Sequence, residues 1–145
     1  MNDPSVILGV PLMDRDHAVL EDLLASAAST DDAGLRDLLE QVEAETRAHF
    51  QREESLMLEQ ALSVLPCHMA QHDLFLDKFQ QGREALSRGD TRELRRFMTD
   101  VLPALLSHHI NSADRVTAGL LMAMPDAACP LDQATCALAA QTRLR

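Results

Sequence analysis

The sequence predicts an all-α fold, an antiparallel up-down four-helix bundle with a short C-terminal extension. Apolar residues recur every three or four positions in four long stretches, no segment alternates as a strand does, and short breaks rich in Gly, Pro, Ser or Asp separate the stretches. Four amphipathic helices on short loops bury their apolar stripes by running back and forth around one seam. The 145 residues suit a single domain. The bundle is expected over residues 1–124, with 125–145 as a tail that forms at most a short helix.

The first helix is expected from about Leu12 to Ser29, with Met13, His17, Leu20, Leu24 and Ala27 on its inward line. An Asp in the turn Ser29-Thr30-Asp31-Asp32 can cap the second helix, which runs to about Leu62 with Leu35, Leu39, Val42, Thr46, His49, Glu53 and Leu56 inward. The third starts near Pro66, suited to a first helical turn, and ends at Ser87-Arg88-Gly89. Its line is Leu65, His68, His72, Phe75, Phe79, Gly82 and Leu86. The fourth opens on Asp90 as N-cap, with Glu93 three residues on, and reaches about Met124. Met98, Leu102, Leu105, His109, Ser112 and Val116 form its line. Pro103 lies inside it, so this helix must kink or be rebuilt from two segments.

Composition narrows the function. Thirteen Lys and Arg against 23 Asp and Glu give a net charge of −10, which disfavours a nucleic-acid partner because phosphate binding needs a basic patch. The apolar run from Val6 to Met13 is short, holds Gly9 and Pro11 and follows no basic segment, so neither a signal peptide nor a membrane span is expected. Three cysteines, Cys67, Cys129 and Cys136, are too few for a disulfide scaffold, and a reducing cytoplasm is the expected location. A lone Cys such as Cys67 is read first as core packing and second as a redox-active thiol.

Polar residues break the apolar seam at particular places. His49 and Glu53 share one face of the second helix at i and i+4, as do His68 and His72 on the third. His17 and His109 sit on the inward lines of the first and fourth helices. Burying such groups without partners is costly, and a gathering of imidazoles and carboxylates inside a bundle is what a metal needs. Five imidazoles exceed the needs of one tetrahedral zinc, so two ions fit better. Asp114 follows His109 by five residues. In an ideal helix that separation turns a side chain about 140° away, so Asp114 reaches the seam only through a distorted turn or from a place near a neighbouring helix.

These residues resemble the hemerythrins, in particular the bacterial hemerythrin-like proteins, from about Gly9 to Leu120. Met13-Asp14-Arg15-Asp16-His17 looks like the family's first histidine motif. His49-Phe50-Gln51-Arg52-Glu53-Glu54-Ser55-Leu56-Met57 is close to its H-F-x-x-E-E-x-x-M. His68-Met69-Ala70-Gln71-His72 followed by Phe75 resembles H-x-x-x-H-x-x-F, and His109-Ile110-Asn111-Ser112-Ala113-Asp114 resembles H-I-x-x-x-D. That register selects His109 over His108, which becomes a side residue. The family often carries Trp where Leu105 stands, Tyr where Thr117 stands, and a Tyr-Pro where this chain has Leu65-Pro66.

The resemblance implies two iron ions bridged by Glu53, Asp114 and an oxo or hydroxo group. His68, His72 and His109 would serve one iron, and His17 and His49 the other, which keeps an open position. It further implies an apolar ligand pocket lined by Phe50, Leu106 and Ile110. The expected function is reversible dioxygen binding for storage, delivery or sensing, with dioxygen or another small diatomic molecule as partner. The alternative is a di-iron enzyme acting on peroxide, nitric oxide or dioxygen. A ferritin-like oxidase is disfavoured, because that class uses Glu-x-x-His pairs and none of the six histidines has Glu three residues before it.

Overall fold

Residues 6–123 are described by the structure, a computed structural model, and among them helices form four rods and no strand occurs. The expected tail, with Cys129 and Cys136, lies outside the described residues. The first rod is α1 (Pro11–Ser26), with Pro11 in its opening turn, where a missing amide donor costs nothing. Before it, the Leu8 and Gly9 amides donate to the Asp14 carboxylate at 2.8 and 3.0 Å. Gly9 has φ +92°, and a Cβ there would lie 2.9 Å from Met122 Sδ, so this arm needs a glycine to lie against the end of the fourth rod.

Asp31 caps a single 3₁₀ turn (Asp32–Gly34) by accepting from the Gly34 amide at 2.9 Å. The second rod, α2 (Leu35–Glu59), follows directly. The third consists of α3 (Leu65–Asp77) and α4 (Phe79–Ser87). The sequence has neither Gly nor Pro at the junction and predicts one uninterrupted helix. Instead the Lys78 amide bonds to the Phe75 carbonyl and the Gln81 amide to the Lys78 carbonyl, a local tightening to three-residue spacing while Lys78 keeps helical angles.

Asp90 opens the fourth rod as expected, its carboxylate accepting from the Glu93 amide at 3.0 Å. This rod comprises α5 (Thr91–Arg96), a π-turn at Phe97–Val101, α6 (Leu102–His109), a second π-turn at Ile110–Asp114 and α7 (Arg115–Ala123). Pro103 accounts for the first π-turn. It cannot donate to a preceding carbonyl, and the wider turn, with the Leu102 amide bonded to the Phe97 carbonyl, takes up the mismatch.

The inward lines hold with a few shifts. On α2 it is Met57 that is buried, while Leu56 is only half-buried. Leu65, Leu86 and Leu105 are half-buried at the edges of their faces. Ser112 and Val116, expected inward, are exposed, and Asp114, Thr117 and Ala118 point into the core instead. The second π-turn explains this, since its extra residue advances the buried face by one position. Cys67, expected in the packing, is exposed. Below the polar centre the interior is apolar: Phe79, Phe97, Met98 and Leu35 are fully buried. No helix among the described residues is long and apolar enough to cross a membrane.

Candidate metal centre

Four rods deliver seven buried polar residues to one point at mid-bundle. His17 comes from α1, His49 and Glu53 from α2, His68 and His72 from α3, His109 from α6, and Asp114 from the second π-turn. All are at most 5% exposed. The π-turn is the distortion that Asp114 requires: bonds to the fifth residue bring position i+5 back over position i, so Asp114 shares the face of His109.

The two carboxylates lie between two groups of imidazoles. Glu53 Oε1 is 2.6 Å from His68 Nε2 and 3.4 Å from His72 Nε2, while Oε2 is 3.3 Å from His49 Nε2. Asp114 Oδ1 is 2.9 Å from His109 Nε2 and 3.0 Å from His68 Nε2, while Oδ2 is 2.9 Å from His17 Nε2. Each carboxylate thus gives one oxygen to each group. Candidate ligand atoms of Glu53, His68, His72, His109 and Asp114 lie within 4.8 Å of one another, and so do those of His17, His49, Glu53 and Asp114.

All five inward-facing Nε2 atoms and all four carboxylate oxygens are buried and make no well-formed hydrogen bond. Nine such orphans in one cluster would be prohibitively costly in a packed core, where buried polar groups are almost always paired. A cation removes that cost. The donor set, imidazole nitrogens with carboxylate oxygens, suits iron and other first-row metals.

Three of the far nitrogens are held from outside, whereas His17 Nδ1 is buried without a hydrogen-bond partner. His49 Nδ1 lies 3.1 Å from Asp16 Oδ2, which also accepts from Arg52 Nε at 2.8 Å; Arg52 Nη2 in turn donates to Glu45 at 2.9 Å. His72 Nδ1 pairs with Glu54 Oε1 at 2.8 Å, and His68 Nδ1 with Thr117 Oγ1 at 2.6 Å. Such contacts fix ring orientation and present Nε2 to the centre. Phe50 stacks on His72 with centroids 3.7 Å apart and planes 8° from parallel, and it also borders His49 and His109. Ile110 is buried at the start of the π-turn, and Leu106 is buried among Leu20, Leu24 and Phe75. His108 is exposed, as the register on His109 requires.

Sequence reasoning missed Asp16, Arg52, Glu54 and Thr117 as positioning partners. The first three lie inside the quoted motifs, beside the histidines or Glu53, and that adjacency is the only signal they give.

Electrostatics describe a centre built for positive charge. Burial works to raise the Asp114 carboxyl, yet His109, His17 and His68 hold it far below the usual range. Burial pulls His49 down, and it pushes His72 down to about 4 despite Glu54. His68 goes the other way: burial opposes its charge, but the Asp114 and Glu53 carboxylates raise it to about 9. Without a cation, a proton on His68 serves in its place.

Fold and site together define an all-α bundle with a buried cation-binding centre. A comparison with protein-family models matches residues 8–121 to the hemerythrin HHE cation binding domain, and the chain belongs to that family. No curated protein and no solved structure matched the chain.

Proposed function

We propose that His17, His49, Glu53, His68, His72, His109 and Asp114 hold two iron ions bridged by an oxo or hydroxo group, and that the centre binds dioxygen reversibly. The observation that carries this reading is the division of the Glu53 and Asp114 oxygens between two imidazole groups, all left without hydrogen bonds. Held by these seven residues, two ferrous ions would supply reversible two-electron chemistry to a small ligand. The donor count is unequal, three imidazoles on one side and two on the other, so the His17 and His49 side keeps room for the incoming molecule. Asp16 and Glu54 hold the His49 and His72 rings in place while charge moves.

Phe50, Leu106 and Ile110 form the apolar lining that excludes water and keeps protons from the bound molecule. No space for a water-sized sphere remains in the packing around Leu106. That tight packing disfavours a bulky substrate, and dioxygen, itself no smaller than water, enters there only as side chains move. The cytoplasm is the proposed location.

The test is a metal assay on protein purified without oxygen, followed by the optical spectrum on adding and then removing dioxygen. About two irons per chain and a colour that comes and goes support carriage. Irreversible oxidation with consumption of peroxide or nitric oxide replaces it with the enzymatic alternative, and a chain that takes up no iron ends both.

A further inference from the structure

A groove of about 460 Å³ opens between α3 and the later part of the fourth rod. Cys67, Gln71, His108 and Ser112 line it at the surface, and His68 and Thr117 are the buried residues it reaches. We propose that this groove is the route by which ferrous iron enters and leaves the centre. The inference rests on the reading that the seven residues hold iron.

Five of the seven are sealed: His17, His49, Glu53, His72 and Asp114 are at most 1% exposed. Only His68, at 3%, and His109, at 5%, approach solvent, and His68 is part of the groove. Size permits the passage, because six waters of an aquated ion take roughly 180 Å³ at about 30 Å³ each. The rim carries the donors that loss of those waters calls for. A Cys67 thiol and a His108 imidazole, both exposed, precede the buried His68 and His109 by one residue each, so α3 and α6 both offer a surface donor next to an inner one.

The inner end of the route is the His68 ring, whose Nε2 has no hydrogen bond and whose Nδ1 is held by Thr117 alone. His49 and His72 are held by carboxylates, through stronger charge-assisted contacts. On its outer, Nδ1 side His68 is thus held by a neutral hydroxyl, where the other two rings are held by carboxylates. The net charge of −10 raises the local concentration of cations around the whole chain.

The test loads the full chain with ferrous iron under anaerobic conditions and follows its extraction by a colour-forming ferrous chelator. Val116→Trp and Gln71→Trp, at exposed positions lining the groove, place bulk in the route and leave the seven residues and the second π-turn unsubstituted. Val19→Trp, on the exposed face of α1, is the control. The expected result is about tenfold slower extraction from both groove variants, a barrier rise of roughly 1.4 kcal/mol, with the control at the wild-type rate. Cys67→Ser/His108→Ala should slow uptake while leaving final iron content unchanged. Equal extraction rates at full iron content overturn the route and leave the metal centre standing, as does equal slowing in the control. A wild-type chain that takes up no iron overturns the centre and the route together.

Discussion

Asp16 sets how His49 presents itself, although it is not one of the seven inward residues. Its carboxylate is held below the usual range, burial being outweighed by Arg52 and His49, so it remains an anion that orients the ring. Asp16→Asn is expected to weaken iron binding about 10- to 100-fold, read by competition with a chelator, while the helical circular dichroism is unchanged. His72→Ala should lose iron and stability together, since the carboxylates then face each other with less compensation; iron assay and thermal melting on the same sample check it. The pH dependence of the metal-free chain follows from two rings. His68 is raised from 6.5 to about 9, so its contribution is full below pH 6.5 and is lost as pH rises through 9. His72 is lowered to about 4, so its contribution is present above 6.5 and is lost as pH falls through 4. The melting temperature of the metal-free protein should therefore peak near pH 6.5 and fall on both sides, and ferrous loading should release the His68 proton, measurable with an indicator dye. The seven inward residues were legible because helical spacing puts them on seams that Leu and Phe otherwise occupy. Asp16 and Thr117 were not, because their partners lie 33 and 49 residues away in the chain and no local pattern encodes such a contact.

Among the elements, the fourth rod departs furthest from an ideal helix, and the centre depends on that departure. The sequence shows that Asp114 cannot share a face with His109 on regular geometry, and the π-turn at Ile110–Asp114 supplies the missing rotation. Pro103 announced the first π-turn in the same way. No comparable signal marks the break at Lys78, which arises from packing rather than from a residue that forbids helix. The four-rod architecture was otherwise readable from periodicity and from the Asp31 and Asp90 caps. Ser112 and Val116 were misplaced because a 3.6-residue count carried through a wider turn falls one position behind. Close approach of α4 to its neighbours sets another requirement. A Cβ at Gly82 would lie 2.8 Å from two ring atoms of Phe97 and 3.1 Å from Leu39 Cδ1, and Phe97 is fully buried. Gly82→Ala gains up to about 1 kcal/mol in helix propensity but costs about 1–3 kcal/mol in overpacking. Chemical denaturation should show a net loss of stability, a reversal of the usual benefit of Ala within a helix.

For the molecule as a whole, the orphaned nitrogens and oxygens mean that bound cations would complete the native fold. A ligand at 100 times its dissociation constant adds about 2.7 kcal/mol to the stability of the state that binds it. Iron-loaded protein is therefore expected to melt on the order of 5–10 °C above the metal-free form. Melting curves recorded with and without a strong chelator check this, and identical curves would deny the centre any part in folding. Glu53 and Asp114 have a last consequence, because each straddles both halves. Whichever half fills first immobilises the two shared side chains and prepays the ordering for its neighbour, which makes occupancy homotropic. Stepwise iron addition followed by native mass spectrometry should pass from empty to doubly occupied chains with the singly occupied species scarce throughout.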